Sequence, residues 1–204
     1  LLVGRNRGAN YKALTRDPAH PLFDRALMTS YPPGSTFKPT QGLILLQEGI
    51  ITTGTAYPCH HGYISGRLRV GCHSHASPLA LKPALQTSCN AFFCYGFKAM
   101  IDRRSKYGNS ANAFEVWKKH LVSMGYGYRL GIDLPGESRG FIPNDRFYNK
   151  IYGKGHWSAN TIISVSIGQG EIGATPVQIA NLCATIANRG WFITPHVVKA
   201  VSDT

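Results

Sequence analysis

Acidic residues are in short supply in this sequence: ten Asp and Glu stand against 22 Lys and Arg, a formal net charge of +12 over 204 residues. Surpluses of that size occur in chains that meet nucleic acid, anionic lipid or an anionic polymer. Here the basic residues are scattered, with only short pairs such as Arg103-Arg104 and Lys118-Lys119, and no basic stretch is interleaved with aromatics. The pattern argues against nucleic acid as a partner and suits a carboxylate-rich polymer at a cell surface. Long hydrophobic runs are missing as well, and none approaches the roughly 20 residues that a bilayer-spanning helix needs. The opening, Leu1-Leu2-Val3-Gly4-Arg5, has neither an initiator Met nor a signal-peptide pattern, so the chain reads as a cut inside a longer protein. The 22 Gly and 12 Pro are spread out, leaving no linker and no internal repeat. A hydrophobic content of 43% is enough for one core of ordinary size.

A disulfide framework is also lacking, since five cysteines are an odd number without regular spacing. Four of them, Cys59, Cys72, Cys89 and Cys94, fall in one region together with His60, His61, His73 and His75. That clustering favours a metal over disulfides. Zinc takes thiolate and imidazole ligands in a tetrahedron drawn from two sequence clusters, here Cys59-His60-His61 and Cys72-His73-Ser74-His75. Neither has a standard zinc-finger spacing, and free thiols with solvated histidines in an irregular loop would give the same sequence.

Pattern along the chain predicts a helix-rich α+β fold. Residues 1–30 are polar and loop-like, Pro32-Pro33-Gly34 forces a turn, and a helical pattern runs from Ser35 to about Gly49. Residues 50–80 read as irregular. Pro83 to Thr87 lead into a short helix or turn, Ala91 to Ile101 form an apolar helix, and Ala111 to Met124 an amphipathic one. Gly127 to Arg146 is loop-rich, and Thr161 to Ile167 resembles a buried strand or loop. Thr175-Pro176 caps a helix reaching about Asn188, and Trp191 to Val201 reads as a strand. Cys94 and Cys183 look like small core residues on helices.

The sharpest chemical signal is Tyr31-Pro32-Pro33-Gly34-Ser35-Thr36-Phe37-Lys38. A serine at a helix N-terminus with a lysine three residues later places both side chains on one face. The helix dipole favours negative charge developing at Ser35, and a desolvated Lys38 can take the serine proton as a neutral amine. A bare Ser-x-x-Lys equally describes an N-cap followed by a solvated lysine. Lys38 is, however, the chain's only lysine with a serine three positions before it, and it follows a rigid turn. Three Ser-x-Asn triplets occur, Ser88-Cys89-Asn90, Ser110-Ala111-Asn112 and Ser158-Ala159-Asn160, and spacing alone does not choose among them.

Tyr31 to Pro39 resembles the active-site signature of class B penicillin-binding proteins, whose superfamily carries Ser-x-x-Lys, Ser-x-Asn and Lys-Thr-Gly motifs. Gly131 to Glu137, Gly168-Gln169-Gly170-Glu171, Ala174 to Gln178 and Ala187-Asn188-Arg189-Gly190 are similar to other stretches of that family. Pro21-Leu22-Phe23-Asp24-Arg25-Ala26 resembles the elongation-type group, penicillin-binding protein 2. The resemblance implies a partial transpeptidase domain over 1–204, of the penicillin-binding and β-lactamase-like fold, with anchor, pedestal and C-terminal strands outside it. No Lys-Thr-Gly or Lys-Ser-Gly occurs in the chain. On its own it is therefore expected to be inactive or impaired.

The resemblance further implies a D,D-transpeptidase with Ser35 as nucleophile and Lys38 as base. Ser88 would relay protons and Asn90 would hold the substrate amide, since Ser88-Cys89-Asn90 leads into an aromatic helix as the family's motif does. Implied partners are peptidoglycan stem peptides, β-lactams and a membrane glycosyltransferase, at the periplasmic face of the bacterial cytoplasmic membrane. A structural zinc is implied too, on Cys59, Cys72, His75 and Cys89, with His61 and His73 as substitutes. In an extended turn alternate side chains point opposite ways, so Ser88 and Asn90 could face the substrate while Cys89 faces the metal. A serine β-lactamase or β-lactam sensor shares the early motifs and differs in deacylation. A zinc-stabilised interaction module would hold metal without being acylated.

Overall fold

The computed structural model describes residues 2–200. The polar start is not all loop: α1 (Arg7–Arg16) and α2 (Arg25–Met28) lie there, separated by the breakers Asp17-Pro18 and His20-Pro21. Polarity misleads because Arg, Lys, Ala and Leu are good helix formers, and α1 buries no side chain. Asp24 starts α2 by accepting from the Ala26 and Leu27 amides. Next comes a single 3-10 turn over Gly34–Phe37, continued by α3 (Lys38–Gln47). The helix type changes at Pro39, which has no N–H; the Ser35 carbonyl accepts from the Lys38 amide instead.

Residues 50–80 contain an element that their irregular composition hides. Strands β1 (Gly62–Ser65) and β2 (Leu68–Gly71) form an antiparallel hairpin in which Tyr63 faces Val70 and Ser65 faces Leu68. Its two-residue loop, Gly66-Arg67, uses the positive φ of 60° that glycine takes without strain. Then follow α4 (Leu81–Gln86), α5 (Asn90–Ile101), α6 (Arg104–Tyr107), α7 (Ser110–Ser123), α8 (Asp145–Tyr152), a 3-10 turn over Ile163–Ile167, and α9 (Pro176–Ala187). Helix thus dominates, and among the described residues the hairpin is the only sheet.

Helix α5 is apolar almost all round, as a central helix must be. Ala91, Phe92, Phe93, Cys94, Phe97, Met100 and Ile101 are fully buried, and α3, α7, the hairpin and the second 3-10 turn pack around them. Gly96 lets α3 come close: a Cβ there would stand 2.4 Å from Leu45 Cδ1. Trp117 of α7 stacks on Phe114, meets Phe37 and Phe97 edge-on or tilted, and donates to Gln41 Oε1 at 2.7 Å. A Thr175–Gln178 capping box fixes the start of α9.

Four readings need correction. Helix α8 lies partly in a segment read as loop, and its signal was Asn144 capping the Phe147 amide. The segment Thr161 to Ile167, read as a buried strand or loop, is no strand: residues 163–167 coil into a 3-10 turn. Residues 191–200 form no strand, because no second strand pairs with them; the Val197 and Val198 amides go to the Asp133 carboxylate. Val201, the end of that reading, lies outside the described residues. Cys183 is exposed rather than in the core, whereas Cys94 is buried.

Candidate active site

Ser35 is the second residue of the 3-10 turn, and the turn is held from behind. Gly34, at φ +58°, donates its amide to the Gly168 carbonyl at 2.8 Å. A Cβ on Gly168, itself at φ +72°, would lie 2.3 Å from the Gly34 carbonyl oxygen and 2.6 Å from Phe37 Cβ. Only glycine fits on that side of the turn. One step along, Lys38 projects from the same face, and its Nζ stands 3.1 Å from Ser35 Oγ.

The lysine is 2% exposed, which is rare for its type and demands partners. Besides Ser35, Nζ reaches Ser88 Oγ at 2.7 Å, the Ser88 carbonyl at 2.6 Å and Asn90 Oδ1 at 2.6 Å. The Phe93 ring forms an apolar wall 5.9 Å away. Burial lowers the Lys38 pKa below its ordinary value, and the nearby thiols of Cys72, Cys89 and Cys94 partly oppose that. The Ser88 carbonyl and Asn90 Oδ1 can only accept, so they take two N–H groups. In the neutral amine the remaining lone pair faces the serine hydroxyls. This is the geometry of a base poised on a hydroxyl.

The structure chooses among the three Ser-x-Asn triplets. Asn112 donates to the Tyr107 carbonyl near the start of α7. Asn160 accepts from Tyr63 OH at 2.6 Å and donates to Ser65 Oγ, tying the hairpin to the 158–161 turn. Only Ser88 and Asn90 reach Lys38. Ser88 is not extended but left-handed, at φ +51°. The opposite facing of Ser88 and Cys89 therefore comes from that kink and not from strand-like alternation. Asn90 is doubly engaged, with Oδ1 on Lys38 and Nδ2 on the Gly71 carbonyl at 2.8 Å. A contact from Asn90 to a substrate amide requires one of these bonds to give way.

On the far side of the turn, one ligand atom each from Cys59, Cys72, His75 and Cys89 gathers within 4.8 Å of the others, a group that could hold a metal ion. The donor set fits. A tetrahedron with Zn–S bonds of about 2.3 Å has S···S edges of about 3.7 Å. His75 donates from Nδ1 to the Ala76 carbonyl at 2.7 Å, which turns Nε2 toward Cys72 Sγ, 3.3 Å away: protonated, Nε2 donates to the thiolate, and on losing that proton it can bind a metal. Burial pushes the Cys59 thiol up and Cys89 up to about 12. Cys72 is held down at about 7; burial opposes this, and the Asn90 amide and His75 outweigh it. The two suggested substitutes do not join: His61 contributes its backbone carbonyl to the Cys72 amide, and His73 binds the Thr87 carbonyl. Metal group and lysine site share a wall, since the Asn90 amide donates to Cys72 Sγ at 3.3 Å.

In the sequence Gly168 stands out only within a family resemblance, and nothing there marks a role for Gly71 or Thr87. All three act through backbone carbonyls, which leave no side-chain signal.

Comparison with known proteins closes the case. Residues 2–204 match the family model for the penicillin binding protein transpeptidase domain. The peptidoglycan D,D-transpeptidase MrdA of Acinetobacter baumannii is 33% identical over 197 residues, which is 94% of this chain but 27% of the relative. Penicillin-binding protein 2 of Pseudomonas aeruginosa superposes with a TM-score of 0.79 at 25% identity, over 94% of this chain and 42% of that one. A chain from a peptidoglycan synthase complex that couples polymerization and crosslinking gives 0.79 at 30% identity, over 97% of this chain and 32% of that one. With the family match running through nearly every residue, this chain belongs to the penicillin-binding protein transpeptidase domain family.

Proposed function

We propose that the chain supplies the acylation centre of a peptidoglycan D,D-transpeptidase. The observation that carries the reading is the buried Lys38 amine, 3.1 Å from Ser35 Oγ and clamped by Ser88 and Asn90. Neutral Lys38 takes the Ser35 proton as Oγ attacks the carbonyl of the penultimate D-alanine of a stem peptide. The ammonium then has three hydrogens for the Ser88 carbonyl, Asn90 Oδ1 and Ser88 Oγ. As the scissile amide C–N bond breaks, the Ser88 hydroxyl proton passes to the leaving D-alanine nitrogen and Lys38 returns its proton to Ser88 Oγ. An amine from a second stem resolves the ester by the reverse transfers and forms the cross-link. A β-lactam acylates the same oxygen. Asn90 acts first as the brace that holds Lys38.

Peptidoglycan, on which the curated relatives are named as acting, lies outside the cytoplasmic membrane, which supports a site of action at its periplasmic face. Likeness to a chain of a synthase complex supports a membrane glycosyltransferase as partner. Among the described residues no helix is long and apolar enough to cross a membrane. We assign the cysteine–histidine group to zinc, on the grounds of three thiols, one imidazole and no carboxylate. Bound there, zinc supplies structural bracing of the Ser88 turn and takes no part in acyl transfer.

Covalent labelling of the full-length protein with a fluorescent penicillin tests the first reading. Wild type is expected to form a long-lived adduct and Ser35→Ala none; equal labelling of both would overturn it. Elemental analysis is expected to return one zinc per chain, and a metal-free preparation would sink the metal assignment alone.

A further inference from the structure

The segment after β2 grips the Ser88 turn on both sides, and one of its contacts has no part in the metal group. From Gly71 and Cys72, the carbonyl and the thiol hold Asn90. From His73, Nε2 lies within hydrogen-bond reach of the Thr87 carbonyl, immediately before Ser88. Ser88 itself adopts φ +51°, a conformation that a non-glycine residue keeps only when its surroundings over-determine it. Its carbonyl and hydroxyl are two of the four oxygens around Lys38 Nζ.

A carbonyl oxygen can only accept, so His73 Nε2 carries the proton and donates. His73 is not among the four residues whose ligand atoms gather within 4.8 Å, and its Nε2 is engaged on the backbone instead. The His73 and His75 rings meet edge-on with centroids 5.7 Å apart, so the ligand His75 in turn fixes the plane of His73. Thr87 has few other anchors. Its amide and hydroxyl both return to the Pro83 carbonyl of α4, and among the described residues no donor other than His73 meets its carbonyl.

We infer that His73 is a positioning residue for the acylation reaction: by donating to the Thr87 carbonyl it sets the peptide plane that presents Ser88 to Lys38. This rests on the acyl-transfer reading above and adds to it a residue that touches neither substrate nor metal. Gln is the conservative probe, because its amide nitrogen lies at about the reach of Nε2, while Ala removes the donor.

The test compares wild type, His73→Ala and His73→Gln in the full-length protein. It measures the rate constant of acylation by a fluorescent penicillin, the affinity of the prior non-covalent complex, bound zinc and thermal midpoint. Loss of one hydrogen bond at the turn is expected to slow acylation about tenfold in His73→Ala. Non-covalent affinity, zinc content and thermal midpoint should stay near wild type, and His73→Gln should recover most of the rate. An unchanged rate in His73→Ala overturns the inference, as does a slow His73→Gln with full zinc. Loss of zinc in His73→Ala makes His73 a ligand and overturns it too. Failure of wild type to be acylated strikes the parent reading and not this one.

Discussion

Lys38 Nζ has four oxygen neighbours within 3.1 Å and almost no water, which makes its protonation state the quantity on which the chemistry turns. Desolvation lowers its pKa, so the neutral base is populated at a lower pH than an ordinary lysine allows. The working form is deprotonated, so acylation should be slow at low pH and rise as pH climbs through the folded pKa. The midpoint of that rise, read from the pH dependence of labelling, should lie below the ordinary value of 10.5. Lys38→Arg keeps a cation that cannot lose its proton and is expected to abolish labelling at every pH. A variant that labels like wild type would remove Lys38 as the base.

At the scale of elements, the turn bearing Ser35 depends on a residue 133 positions later in the chain, Gly168. A methyl there would collide with the Gly34 carbonyl at 2.3 Å, and φ +72° is itself unfavourable for any other residue. Gly168→Ala is expected to cost about 1–3 kcal/mol of stability. It should slow acylation more than a loss of that size elsewhere would, because the displaced group carries Ser35. Denaturant titration and labelling on the same sample check both parts. Neighbouring elements differ in legibility. The Ser35–Lys38 pair is written in local spacing, and α5, α7 and α9 are written in apolar periodicity and caps. The hairpin at 62–71 is not, since its strands are only four residues long and its anchoring contacts, Tyr63 with Asn160 and Tyr95, join residues far apart in the chain.

Across the whole molecule, one carboxylate fastens the end of α3, the helix that begins at Lys38, to its surroundings. Glu48, just past the end of α3, accepts from Lys106 and Tyr107 on Oε2 and pairs with His120 on Oε1, each at 2.6 Å. Burial alone would raise its pKa, but the hydrogen bonds of Lys106, Tyr107 and His120 outweigh it and hold the group at about 2, against an ordinary 4.5. A depressed carboxylate contributes stability that is fully present above its unfolded pKa and lost as pH falls through its folded one. Wild type should therefore lose stability between about pH 4.5 and 2. Glu48→Gln should be less stable at pH 7 and show a flatter profile over that window. Parallel curves in denaturant titrations at several pH values would refute the role.

Local chemistry, then, was enough to determine a serine and a lysine on one helical face, the identity of the apolar helices and a set of thiols and imidazoles suited to a soft metal. Those follow from short-range geometry, where three or four residues make one turn. Tertiary structure decided the rest, because it depends on groups that meet only when distant segments pack. It selected Ser88-Cys89-Asn90 over two triplets of identical pattern, by bringing them alone to Lys38. It separated His75 from His73 by the carbonyl each one faces. And it fitted Lys38 for the proposed role of base: spacing put the amine beside the serine, but only burial took away the water that would keep it charged.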